Sequence, residues 1–155
     1  MKADFTLWQA PARVVVMAAA LLCAGCIDAN ESADAYRRDS QFAEQFVRDM
    51  HAGGLAGVRA RIKPATLRDA GDPKTSFDIM MRALPAGPID SLRPLDSDIE
   101  LGRTRVSKLA YRVYGGRQAA LVRLWIETTS STQYVETVAV DDISAQVWPA
   151  TPAPR

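Results

Sequence analysis

A single histidine, His51, and two cysteines, Cys23 and Cys26, bound the chemistry open to this chain. A Ser-His-Asp arrangement would have to use His51, and no G-x-S-x-G turn is present to expose a serine. Zinc takes four ligands drawn largely from cysteine and histidine, and beyond residue 26 the chain offers only one such side chain. His51 is better explained by its place near the C-terminal end of a helical stretch, where an imidazolium meets the negative end of the helix dipole. Two acidic clusters remain. Residues 96–102 (DSDIELG) begin like a calcium loop, but Leu101 stands where the sharp turn needs glycine, and Ser107 stands where a bidentate glutamate should close the site. A solvated turn is the expectation there, and Asp141-Asp142 suits a strand connection. Glu136 is the one carboxylate with a conditional role. If its strand turns it inward it joins Tyr111 and Leu124 in an apolar pocket, where desolvation would raise its pKa. The expectation is a non-enzymatic chain with no cofactor and no metal.

The cysteines belong to a different chemistry. Residues 14–25 (VVVMAAALLCAG) carry no charge, follow Lys2 and Arg13, and end in small residues. That run is well short of the roughly 20 residues a bilayer core requires. It has no polar face to show solvent as a core helix would, and its order of charged, apolar and small residues is that of an export signal. The stretch LLCAGC resembles the lipobox of bacterial lipoproteins. Ala24, Gly25 and Cys26 match it, while Cys23 stands where Leu is usual and Leu22 lies one place early. The resemblance implies cleavage before Cys26 and a diacylglyceryl group on its thiol, a thiolate being the nucleophile that reaction needs. Ordinary signal cleavage leaving a soluble periplasmic protein is the alternative. Ile27 stands where Asp would favour retention at the inner membrane in the resembling lipoproteins, so the expected location is the periplasmic side of the outer membrane. Several acyl chains at about 0.8 kcal/mol per buried methylene would anchor the protein without a spanning helix.

The expected organisation is a signal peptide over 1–25, a lipidated cysteine and tether over 26–32, one α+β domain over 33–149 and a Pro-rich tail over 150–155. Once Lys2, Arg13 and Asp4 leave with the signal, the remaining charges cancel. With no basic excess, nucleic-acid binding is not expected. The mature domain holds no thiol, so its core alone must hold it, and about 115 residues suffice for a modest one.

Two periodicities divide the domain. Phe42, Ala43, Phe46, Val47 and Met50 recur at helical spacing up to Gly53-Gly54, a stop signal. A shorter helix is expected through Leu55, Val58 and Ile62 to Pro64. Asp72 is placed to cap a third helix, with Pro73 at its first position and Phe77, Met80, Met81 and Leu84 on one face. From about Ile89 the period becomes two. Gly115-Gly116 predicts a two-residue hairpin turn pairing Tyr114 with Arg117. That places Leu109, Tyr111, Val113, Ala120, Val122, Leu124 and Ile126 on the core face. The second face takes Val106, Lys108, Ala110, Arg112, Tyr114, Arg117, Leu121, Arg123 and Trp125. QYVETVAV is a further strand whose register decides whether Glu136 or Val135 faces inward, and ISAQVW is a candidate last strand.

Helices followed by an antiparallel sheet predict an α+β fold with the helices on one face of a curved, cone-like sheet. This element order over about residues 33–149 resembles the nuclear-transport-factor-2-like, or cystatin-like, fold of small exported bacterial lipoproteins. Enzymes of that fold often place an Asp and a His in the cone, which here would draw on His51. Three functions compete. The first is a non-catalytic domain binding a protein partner through Trp125, Leu121 and Tyr114, edged by Arg112 and Arg123. An inhibitor or immunity protein against a toxic envelope enzyme is one form of it, and a homodimer through the sheet another. The second is a binder of a small apolar molecule in the cone, and the third an enzyme using Glu136 or an Asp with His51. Trp125 is expected opposite Val106, covered either by a partner or by the chain's own C-terminal segment through Trp148.

Overall fold

The computed structural model describes residues 12–100 and 104–148, with side chains from residue 31 onward. Residues 1–11, the side chains of Cys23 and Cys26, Leu101 and the tail 150–155 lie outside the described residues. The described chain falls into two compact units, one ending at Ala35 and the other beginning at Tyr36. Among the described residues no helix is long and apolar enough to cross a membrane.

The first element, α1, spans Ala12–Val58, so helical backbone also covers residues 27–32, expected as a tether. The glycine stop is real but local. Gly54 takes φ 56° and ψ −145°, a conformation open to glycine, and the chain kinks there before resuming helix to Val58. A 3-10 turn (Arg59–Arg61) follows in place of a second helix reaching Ile62. Pro64, expected to end a helix, instead begins α2 (Pro64–Asp69), where its fixed φ suits the first helical position. Helix α3 (Pro73–Met81) starts as its cap dictates. The Asp72 carboxylate accepts from Lys74 N at 3.1 Å, Thr75 N at 3.3 Å and Thr75 Oγ1 at 2.6 Å.

Four strands then form an antiparallel meander in the order β1-β2-β3-β4: β1 (Ser91–Glu100), β2 (Arg105–Gly115), β3 (Gln118–Thr129) and β4 (Thr132–Asp142). The fold is α+β with a curved sheet, as expected. Residues 96–100, expected as a turn, are the end of β1. The final candidate strand is instead a short helix, α4 (Ser144–Val147), whose start is fixed by Asp142 Oδ1 accepting from Ser144 N at 2.8 Å.

The helices cover one sheet face. Ala43, Phe46, Val47 and Met50 of α1, with Val58, Ile62, Phe77 and Leu84, pack on Leu109, Tyr111, Val113, Ala120, Val122, Leu124 and Ile126. Every sheet position assigned to the core face is buried. Met80 and Met81 are only partly buried against this cluster. The β2–β3 register differs from expectation: Gly115 pairs with Gln118 and Tyr114 with Ala119, so the turn is Gly116-Arg117. Each residue's partner shifts by two places, which preserves the faces because strand side chains alternate with period two. Gly115 serves packing instead. A Cβ there would lie 2.6 Å from both Pro85 Cβ and Pro88 O, so only glycine lets the segment after α3 cross the hairpin end. That segment is tied down by Gly116 N to Asp90 Oδ2 at 2.7 Å, Ala86 N to Gln118 Oε1 at 2.7 Å and His51 Nε2 to Pro85 O at 3.0 Å. His51 thus binds a loop carbonyl and does more than sit near a helix dipole.

The β3–β4 connection repeats the geometry of the first hairpin with a worse residue. Thr129 pairs with Thr132, and Ser130 at the first turn position has φ 58°, matching Gly116 at 57°. A non-glycine residue there stores about 1–3 kcal/mol of strain, against an unfolded-state entropy difference of about 0.4–1 kcal/mol that opposes glycine. Ser130→Gly is therefore expected to stabilise the protein by about 1 kcal/mol. The check is a higher urea midpoint with an unchanged m-value.

Candidate functional site

Because the helices occupy one sheet face, side chains of opposite parity project from the other. On β2 and β3 this second face carries Lys108 opposite Trp125, Ala110 opposite Arg123 and Arg112 opposite Leu121. Trp125 therefore lies across from Lys108 and not from Val106, the same two-place shift. It is 44 % exposed, with Lys108 Nζ 5.4 Å from its ring centroid in cation–π geometry. Arg123 pairs with Asp141 at 2.5 Å, and Arg112 is exposed. Asp96, Asp98, Lys108, Ala110, Arg123 and Trp125 line a shallow depression of about 270 Å³.

Edge strand β1 supplies the acidic side of this depression. Asp98 lies opposite Lys108 and Asp96 opposite Ala110, and Lys108 Nζ contacts Glu100 Oε1 and lies 3.9 Å from Asp98 Oδ2. Pro94, an adjacent register irregularity and the carboxylates make β1 a poor template for adding another strand. Tyr114 does not share the open centre. Trp148 packs edge-on against it at 6.1 Å and Arg93 stacks at 5.3 Å. The C-terminal segment through Trp148 thus covers Tyr114 and leaves Trp125 accessible.

The expected pocket of Tyr111, Leu124 and Glu136 is not assembled. Tyr111 and Leu124 are fully buried core residues. Glu136 sits at a bulge in β4, where Trp125 pairs with Thr137 but the next residue, Ile126, pairs with Val135. Two consecutive residues of β3 therefore face a three-residue span of β4. Val135 points to the core and, past the bulge, Val138 and Val140 do so too. Both registers considered from sequence are half right. The Glu136 carboxylate comes out near the surface, 3.2 Å from Lys63 Nζ, which also binds Glu127. Its side chain is 38 % exposed and is not enclosed in an apolar pocket.

A polar cluster that the sequence reading passed over lies at the start of β2. Asp39 on α1 is completely buried. Its Oδ1 accepts from Arg105 at 2.8 Å and Gln133 Nε2 at 2.6 Å, and its Oδ2 from Arg105 Nε at 3.2 Å and from Ser107 Oγ. Arg105 continues to Thr128 Oγ1 at 3.3 Å. The signals were present. Asp39 precedes Ala43, Phe46 and Met50 at core spacing, and Ser107 shares the parity of Leu109, Tyr111 and Val113. Both are polar residues at apolar-face positions, which need buried partners. With its carboxylate accepting four hydrogen bonds and Arg105 continuing to Thr128, the cluster locks α1 to three strands. Nearby, the buried Tyr111 hydroxyl lies toward Ser40 Oγ, and neither makes a well-formed hydrogen bond among the described residues.

The titrating surface groups set limits on pH tolerance. Hydrogen bonding holds three carboxyls below the usual aspartate range: Asp49 through Arg61, Asp72 through Thr75, and Asp142 through Ser144. Their stabilisation is present above the unfolded-state aspartate pKa and is lost as pH falls through the lower folded values. Glu127 and Glu136 raise Lys63, and Glu100 raises Lys108. Burial pushes the Tyr111 phenol up. These contributions are intact below the unfolded lysine and tyrosine values and disappear as pH rises through the folded ones. Urea midpoints are expected to be flat between about pH 5 and 9 and to fall on both sides. Removal of Asp49, Asp72 and Asp142 together should flatten the acid limb. No protein-family model, curated protein or solved structure matches this chain.

Proposed function

We propose that this is a lipid-anchored envelope protein whose α+β domain binds another protein through the sheet face around Trp125, without catalysis. One observation carries the reading: a tryptophan on a central strand, 44 % exposed, on the face opposite the helices. Tryptophan is strongly enriched among residues that dominate binding energy. Around it Ala110 and Thr137 lie nearest the centre, and Lys108, Arg112, Arg123, Asp96 and Asp98 form a mixed-charge rim. An apolar centre with a polar rim is the usual anatomy of an interface. The element order of helices followed by a strand meander is what the resemblance to the nuclear-transport-factor-2-like, cystatin-like lipoproteins rests on. An inhibitory or immunity partnership and a homodimer through this face are forms of the same proposal.

The test places a photo-crosslinking residue at Leu121 in the lipidated protein within its own envelope. A discrete adduct that Trp125→Ala abolishes supports the proposal, whereas adducts indifferent to Trp125 reject it. The anchor has its own test. Wild-type protein is expected to incorporate a fatty-acid probe and to fractionate with membranes, and Cys26→Ala to lose both, since no other thiol follows residue 26. Equal labelling of the two forms would remove the lipid from the proposal and leave a soluble periplasmic domain.

A further inference from the structure

A second concavity lies on the helix side of the sheet, away from Trp125. Helices α2 and α3 have only six and nine residues, and they stand beside β4 without closing onto it. The chain is fastened to β4 just ahead of α2 and in its first turn. Ile62 bridges Val135, Lys63 N donates to Val135 O at 2.9 Å, and Thr66 Oγ1 donates to Glu136 O at 2.8 Å. Beyond that clip a half-open cleft of about 300 Å³ remains, walled by Ile62, Leu67, Phe77, Met80, Val135 and Val138. The β4 bulge creates its floor, because it brings both Val135 and Val138 to the inner side.

The charge at the cleft is one-sided. Glu136 is among the lining residues, and its carboxylate shares the Lys63 ammonium with Glu127. One cation between two carboxylates leaves a surplus negative charge, and Lys63 is already doubly engaged. A cationic head placed there gains a counter-charge, whereas an anionic head must displace one of the carboxylates from Lys63. The walls are mostly apolar, with the ring of Phe77 and the thioether of Met80, a side chain that adapts to irregular shapes, and they also carry Thr66 and Ser76. A volume near 300 Å³ is at the small end for ligand sites. At roughly 30 Å³ per water-sized group it holds about ten such groups.

We propose that this cleft binds an aliphatic chain of about eight to ten carbons bearing a cationic head, with the chain between α3 and β4 and the head against Glu136. It is a site distinct from the Trp125 face, and its fate does not depend on that face.

The experiment uses the full chain carrying Cys26→Ala and handled without detergent, so that no acyl chain of its own competes. Decyltrimethylammonium and decanoate are titrated separately below their micelle thresholds, with calorimetry for affinity and methyl NMR for location. Saturable binding of the ammonium probe is expected, at least tenfold tighter than decanoate, with the Met80, Val135 and Val138 methyl signals moving together. Glu136→Gln should shrink that preference to threefold or less while leaving chain binding in place. Ala70→Phe, which fills the cleft from the residue that follows α2, should abolish binding of both probes. Should that variant unfold, Ser76→Lys, which places a competing cation on the exposed α3 side of the cleft, should weaken the ammonium probe alone. Equal affinity for the two probes, tighter binding of decanoate, or shifts at Trp125 in place of Met80 would overturn the proposal. So would a cleft already closed by a second copy, seen as a sedimenting dimer that Ala70→Phe dissociates and that takes up neither probe.

Discussion

Asp39→Ala is expected to destabilise the protein by about 3–5 kcal/mol, the largest effect of any single change considered. The reason is what stays behind. Removing the carboxylate leaves the Arg105 guanidinium, whose side chain is only 16 % exposed, facing a hole with no counter-charge. It also strips partners from Ser107 Oγ and Gln133 Nε2. Asp39→Asn keeps the shape but removes the charge, and its amide nitrogen must face donors, so it should cost nearly as much. A double replacement, Asp39→Leu with Arg105→Met, removes both charges together. Exchanging a buried ion pair for apolar groups is often neutral, so the double variant should recover much of the loss even though Ser107 and Gln133 still lack partners. Urea unfolding of the three variants gives the result directly. If Asp39→Ala costs less than 1 kcal/mol, the cluster is not the clasp between α1 and the sheet. The same measurement bears on specificity, because a pinned carboxylate permits one axial position of α1 over the strands where apolar contacts would tolerate several.

The elements that were legible in the sequence are those fixed by local physics. The Asp72-Pro73 start of α3 depends on one carboxylate and two backbone amides within three residues. The core faces of β2 and β3 depend only on alternation, so they survive a two-place change in pairing. What escaped the sequence depends on contacts between distant residues. Gly115-Gly116 offers two adjacent sites for the turn, and the choice is made by Pro85 and Pro88, which press on Gly115 and leave Gly116 to bend the chain. The bulge at Glu136 breaks the period of two in mid-strand, so no uniform alternation could place Val135 and Val138 on the same side. Asp39 and Ser107 carry the opposite lesson. Their spacing assigned them to the core, and only their polarity argued against it. Read together, two polar residues on facing apolar stripes announce one another, with Arg105 beside them as the available counter-charge.

Trp125→Ala is expected to weaken association with the partner by about 2 kcal/mol, near thirtyfold in affinity, while lowering the stability of the monomer by less than about 1 kcal/mol. The contrast follows from where the ring sits. A buried tryptophan costs about 3–5 kcal/mol on truncation because it leaves a cavity. Trp125 has its helix-covered alternative excluded by parity, since Leu124 and Ile126 on either side are the residues that enter the core. What the ring loses within the monomer is its contact with Lys108, and an exposed cation–π pair is worth about 0.5–1 kcal/mol. Against a partner, the same ring would be fully desolvated at the centre of a rim carrying both signs of charge. Arg123→Ala is the companion experiment. Its ion pair with Asp141 is exposed on both sides, so its removal should leave stability within about 0.5 kcal/mol and act on the rate of association. Unfolding and sedimentation of Trp125→Ala, measured alongside crosslinking at Leu121, separate the two roles of the ring. A stability loss above about 3 kcal/mol with unchanged association would make Trp125 a packing residue and reject the interface.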